Sequence, residues 1–196
     1  MHLDNGLTWT GHVDVLCKKV CSGIFVLRQI ARIANSEVAL SVYYALIQSH
    51  ITYGIALWGS CSKQDLDRVF YLQKRAVRCL VGLKSNESCK PHFKNLGILT
   101  VPSLYVLEAC MLVRKNGAEL PKLGDNHAYS TRYRNQFRFP QHRTVRFEAK
   151  PNYAGVRLHD KLPGHIKEIA GRNKFKAALK QYLLEQCCYS LNEFLR

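Results

Sequence analysis

Between Lys122 and Lys150 seven cations, Lys122, Arg132, Arg134, Arg138, Arg143, Arg146 and Lys150, stand against two acids, Asp125 and Glu148. Tyr129, Tyr133, Phe137, Phe139 and Phe147 are interleaved with them. Guanidinium groups hold phosphate through paired N–H donors, and aromatic rings stack on unpaired bases, so the mixture suits single-stranded or irregular nucleic acid. On that reading Arg132, Arg134, Arg138, Arg143 and Arg146 contact phosphate, while Tyr133, Phe137 and Phe139 stack on bases. The plainer alternative is a solvated segment whose rings tuck onto a helical core. A second candidate is the row Arg68, Lys74, Arg75 and Arg78, on the outer face of a predicted helix. Helix-borne cations position a nucleic-acid backbone without reading its sequence, although an ordinary solvated helix face has the same composition.

Other chemistries find less support. Zinc ligands come in pairs such as Cys-x₂-Cys with a suitably spaced His, whereas Cys187 and Cys188 are adjacent, Cys17 and Cys21 lie four apart on an apolar stripe, and Cys89 with His92 lacks a second pair. The neighbours Ser49 and His50 point to different sides of a helix and form no nucleophile–base dyad. No glycine-rich loop followed by Lys-Ser/Thr is present to cradle a nucleotide. Asp4, Asp14, Asp65 and Asp67 are the only aspartates in the first hundred residues, and no two are adjacent. Paired carboxylates for a two-metal site are therefore not apparent.

The charge balance points the same way as the basic rows. With 29 Lys and Arg against 14 Asp and Glu in 196 residues, the formal charge is +15, which favours a polyanion partner through counterion release. Apolar residues make up 47% of the chain, enough for a packed core rather than disorder. No apolar run reaches the about 20 residues needed to span a bilayer, so no membrane partner is expected. No charged-then-apolar leader opens the chain, and the eight cysteines are expected as reduced thiols of an intracellular protein, nuclear or cytoplasmic.

The elements that must position these residues are mainly helices. Val13, Leu16, Cys17, Val20, Ile24, Leu27 and Ile30 recur every three or four residues from Gly11 to Ile33, leaving Lys18, Lys19, Arg28 and Arg32 largely off the stripe. Asn35-Ser36-Glu37 restarts a helix carrying Leu40, Tyr43, Tyr44 and Ile47. Ser60 or Ser62 caps the next, with Leu66, Val69, Leu72, Ala76, Val77 and Leu80 inward and Gly82 at its end. Pro102 opens a helix running to about Lys115. Tyr153 to Asp160 forms a short helix, Pro163 opens another, and Asn173 caps the last. Trp9 and Trp58 are expected as core anchors. The predicted division is an extended entry at 1–9, a helical body at 10–120, the basic aromatic-rich segment at 121–151, and C-terminal helices at 152–196.

The order of aromatic, polar and glycine residues from Tyr43-Tyr44-Ala45-Leu46-Ile47-Gln48-Ser49-His50 to Ile51-Thr52-Tyr53-Gly54-Ile55-Ala56-Leu57-Trp58-Gly59 is more particular than generic core. With Leu7-Thr8-Trp9-Thr10-Gly11-His12-Val13, Gln73-Lys74-Arg75-Ala76, Leu96-Gly97-Ile98-Leu99-Thr100-Val101-Pro102 and Leu162-Pro163-Gly164-His165-Ile166-Lys167, it resembles the region after the palm in reverse transcriptases of non-LTR, jockey-type retrotransposons. The resemblance spans nearly the whole chain and is weakest across 122–150.

That resemblance implies a mainly α, thumb-like helical bundle, with a short N-terminal strand ending the palm and a basic irregular segment before the C-terminal helices. It also implies a parent activity of RNA-directed DNA synthesis, with Mg²⁺ held by palm aspartates including a Tyr-x-Asp-Asp turn. This chain carries no such turn, so the expectation is a C-terminal fragment that binds RNA and DNA template–primer without polymerising and without a cofactor of its own. The rest of the reverse transcriptase would be its protein partner, and Lys18 and Lys19 would lie near the primer. The competing expectations are a non-catalytic protein-interaction module, a retrotransposon relic, or a self-contained hydrolase using scattered Cys and His.

Overall fold

A computed structural model of the chain describes residues 1–2, 6, 8–117, 120–126 and 137–196; of Asn126, Val145 and Arg146 it describes the backbone alone. The elements are α1 (Thr10–Ile33), α2 (Ser36–Tyr43), a π-helical turn (Tyr44–Gln48), α3 (Ser49–Thr52), α4 (Ile55–Trp58), α5 (Lys63–Val81), α6 (Lys90–Asn95) and α7 (Val101–Asn116). A 3₁₀ turn (Leu123–Asn126), α8 (Val145–Glu148), α9 (Pro151–Asp160), α10 (Gly164–Lys167), α11 (Arg172–Gln186) and α12 (Leu191–Leu195) follow. The protein is mainly α. Among the described residues no strand occurs, and the single β feature is an isolated antiparallel bridge between Lys122 and Phe137. Of the stretch 1–9 where a strand is expected, residues 3–5 and 7 lie outside the described set; the other five form no strand, and Trp9 takes φ 66° as the N-cap of α1.

The helices α2, α5 and α7 begin where local chemistry tells them to. Asn35 accepts from the Val38 amide, Ser62 from the Asp65 amide and Thr100 from the Ser103 amide, each satisfying an N–H that a helix start would leave unpaired. Gly82 ends α5 at φ 69°, a left-handed conformation that costs a glycine little. Between the caps, α1 and α5 lie side by side and parallel, because Thr10 meets Asp65 and Asp14 meets Arg68 at nearly the same sequence offset. Val13, Leu16, Val20, Ile24 and Leu27 of α1, with Leu66, Val69, Leu72, Ala76 and Val77 of α5, are buried, as their periodicity requires.

At the centre lies α7. Val101, Leu104, Tyr105, Val106, Leu107, Ala109, Cys110, Met111 and Val113 are all buried, so the helix has little solvent-facing surface. α3, α4 and α5 pack on it from the N-terminal side and α9 and α11 from the C-terminal side, which makes 10–120 and 152–196 share one core. Gln73 enters this core from α5 at 0% exposure and is fully partnered. Its amide nitrogen donates to the Tyr43 hydroxyl (3.0 Å) and the Leu99 carbonyl (2.8 Å), and its oxygen accepts from the Val101 amide (2.8 Å).

Several elements differ from expectation. The helix after Asn35 does not run on uniformly but widens into the π turn at Tyr44–Gln48, which leaves Tyr44 37% exposed while Tyr43 and Ile47 stay buried. The widened turn brings the Leu46 carbonyl against α1 at Gly23, where a Cβ would sit 2.8 Å from that oxygen. Trp58 is a core anchor, its indole N–H donating to the Tyr53 carbonyl at 3.1 Å, but Trp9 is only half-buried at the rim. α11 starts one residue ahead of Asn173, with Gly171 as its N-cap at φ 86° and no side-chain cap. Neither α6 nor α12 was expected.

Candidate nucleic-acid interface

The cations of α5 divide into two groups with different surroundings. At the N-terminal end Asp65, 5% exposed, accepts from Thr10 Oγ1 and Ser62 Oγ, both at 3.0 Å. Arg68 completes this network, with Nη1 3.0 Å from Asp65 and Nη2 2.6 Å from Asp14. The two carboxylates neutralise its charge and raise its pKa, so Arg68 ties α5 to α1 and is withdrawn from phosphate binding.

Further along α5, among the described residues, no acid plays that role. The Lys74 ammonium sits 4.7 Å over the Phe70 ring and 5.7 Å from the centre of the Tyr189 ring. Lys90, from the first turn of α6, holds its ammonium 5.2 Å over the same Tyr189 ring. Arg78 lies close enough to Tyr189 to act on its hydroxyl electrostatically, and donates from Nε to the Glu87 carbonyl at 3.0 Å, which orients the guanidinium but leaves its charge intact. Tyr189 is fixed by edge-on contacts with Phe70 (4.9 Å) and Phe93 (6.2 Å). Three cations from α5 and α6 thus converge on one tyrosine, two of them, Lys74 and Lys90, over ring faces that attract positive charge. The nearest carboxylates are engaged with the backbone: Glu87 accepts from the Lys84 amide (2.8 Å) and Glu193 from the Tyr189 amide (2.7 Å). Arg75 is half-buried on the same helix, and Lys18 and Lys19 are exposed on α1.

The basic aromatic-rich segment is arranged differently. Phe137 is half-buried with its ring 5.6 Å from His159, and Phe139, 40% exposed, meets Tyr153 of α9 edge-on at 5.6 Å. Phe147 stacks on His142 (5.5 Å, 9°), with the Lys150 ammonium 4.3 Å from the centre of the Phe147 ring, and Glu148 is shared by His142 (3.1 Å) and Arg157 (3.7 Å). The described rings therefore contact α9 and its neighbours, with Phe137 half-buried and Phe139 keeping 40% of its surface exposed. Arg138 is half-buried, with its amide donating to the Pro121 carbonyl at 2.7 Å, and Arg143 is exposed. Arg132, Tyr133 and Arg134, and the Arg146 side chain, lie outside the described residues.

Cysteine chemistry is muted by burial, which pushes the Cys61 thiol up to about 12 and raises Cys17, Cys110, Cys187 and Cys188 as well. A groove of about 840 Å³ between α1 and α5 is floored by Cys17, Cys21 and Leu72 and walled by Tyr71, and its rim mixes Lys63 with Asp67. Among the described residues no group of three or more His, Cys, Asp or Glu is placed to hold a metal ion. Among the described residues, too, no helix is long and apolar enough to cross a membrane.

Sequence reasoning missed Lys90 and Tyr189, because their convergence with Lys74 spans more than a hundred residues and leaves no local signal. It also missed the row Arg172, Lys176 and Lys180 on α11, although the spacing of four is visible in the sequence. No family model matches the chain, and neither does any curated protein or solved structure.

Proposed function

We propose that this chain binds nucleic acid through its backbone, holding RNA and DNA template–primer without catalysing synthesis, as the thumb-like piece of a non-LTR retrotransposon reverse transcriptase. The observation that carries the reading is the gathering of Lys74, Arg78 and Lys90 around Tyr189, where charge is concentrated and not cancelled by an ion pair. Such a site attracts phosphate and has no means of reading base identity beyond the single ring. The +15 charge of the chain adds long-range attraction to any polyanion. The link to reverse transcription rests on the motif order described above, with Mg²⁺ assigned to the palm of the parent enzyme and not to this chain.

Fluorescence anisotropy with RNA, DNA and RNA–DNA hybrid oligonucleotides, repeated over a salt series, tests the proposal. Affinity should fall steeply with salt and vary little with sequence, and the combined Lys74→Gln, Arg78→Gln and Lys90→Gln variant should flatten the slope of log K against log salt by about 2 to 3. Binding that does not respond to salt, or no binding at all, rejects the reading.

A further inference from the structure

α11 carries a row of cations with no acid beside it. Arg172, Lys176 and Lys180 are exposed at positions i, i+4 and i+8, so they form one row on the helix surface, running alongside the stripe of Phe175, Leu179 and Leu183 that is buried against the core. From Arg172 to Lys180 there is no acid, so neighbouring members of the row repel one another without a compensating Glu at either spacing. Arg172 also stands in the first turn, where the macrodipole disfavours positive charge; that turn holds no acid and Gly171 offers no side-chain cap. Among the described residues none of the three is in an ion pair. Local conflicts of this kind, retained in an otherwise consistent helix, mark surfaces kept for a partner.

We infer that the Arg172–Lys176–Lys180 row is a second contact surface for nucleic acid, and that it grips the backbone of a duplex. This rests on the nucleic-acid reading proposed above and adds to it the form of the ligand. The row spans about 12 Å along the helix axis. No exposed aromatic ring accompanies it, so it offers charge without a stacking platform, which suits a duplex with one charge per about 1.7 Å better than unpaired bases. The row also leads along α11 toward Tyr189, three residues beyond the helix end, so the row and the ring at the centre of the other basic site lie on one helix and its tail.

The test uses the whole chain and a duplex of about 20 base pairs, set beside a single strand of equal length. Changing Arg172, Lys176 and Lys180 together to Gln should weaken duplex binding at least tenfold near 0.1 M salt, lower the salt slope by about 2 to 3, and affect the single strand less. Lys176→Glu separates folding from binding. It places an acid between Arg172 and Lys180, so its Tm should hold or rise while duplex affinity drops. An unchanged salt slope in the triple variant overturns the inference, as does an equal loss for single strand and duplex. Loss of binding to anionic phosphatidylserine vesicles, with duplex binding intact, also overturns it and assigns the row to a membrane surface. Failure of the wild-type chain to bind any nucleic acid in a salt-dependent way would instead sink the parent reading, so the two failures are distinct.

Discussion

The amide of Gln73 donates to the hydroxyl of Tyr43 at 3.0 Å, with both side chains at 0% exposure. The same bond links α5 to α2 across the core, and the other two bonds of Gln73 hold the start of α7. Burial raises the Tyr43 pKa, which keeps the hydroxyl protonated.

Gln73→Leu should therefore cost about 3 kcal/mol or more in urea unfolding, because it strands the Val101 amide, the Leu99 carbonyl and the Tyr43 hydroxyl in a dry interior. Tyr43→Phe removes one bond and leaves Gln73 two others, so about 1 kcal/mol is expected. Equal effects of the two variants would show that the network is not what joins these helices.

Two glycines of α1 should respond oppositely to alanine. At Gly11 a Cβ meets nothing within 4 Å, and the change should add a few tenths of a kcal/mol from helix propensity. At Gly23 the new Cβ would press on the Leu46 carbonyl at 2.8 Å, and about 1 to 3 kcal/mol should be lost because backbone has to move. Chemical denaturation of the pair checks both signs, and a stabilised Gly23→Ala would mean that the π turn relaxes freely.

Arg68 and Lys90 separate structure from binding. Arg68→Gln leaves Asp65 without its cation and should lower Tm, yet change oligonucleotide affinity less than twofold, since the two carboxylates already occupy the guanidinium. Lys90→Gln should leave Tm in place and weaken binding about five- to tenfold near 0.1 M salt, the loss expected for one phosphate contact. The reverse pattern would exclude the Tyr189 cluster as the contact site.

Stability should fall with acid in a window set by His159. Burial chiefly, with Lys167 and Arg114 nearby and Asp160 in partial opposition, lowers its pKa from 6.5 to about 4. The unfolded chain takes up the proton first as pH falls below 6.5, so stability is complete above that value and drains away down to about 4, by on the order of 3 kcal/mol. His159→Leu should flatten the urea midpoint across this window relative to wild type. An unaltered pH profile would show that His159 is protonated in the fold.

Legibility in the sequence followed the range of the interactions. α5 could be placed from Ser62, the inward period and Gly82 because each acts within one or two turns. α6 could not: six residues with Phe93 as their buried anchor hold too little periodicity to rise above a loop. The π turn carries no residue type that distinguishes it from α-helix. The basic row on α5 was visible as a row, but which of its members remain free depends on Asp14, which is 54 residues from Arg68. Phe137 and Phe139 looked like stacking rings because nothing local announces Tyr153 and His159 as their neighbours.

The enclosure of α7 limits how this chain can be cut. A helix buried on every side has no surface suited to water once either flank is removed, so cleavage anywhere between Gly117 and Pro151 followed by loss of the C-terminal piece would not release a smaller folded unit. It would expose Leu107, Cys110, Met111 and their neighbours, and the remainder would aggregate or be degraded. The two halves joined by the basic segment must accordingly be inherited together.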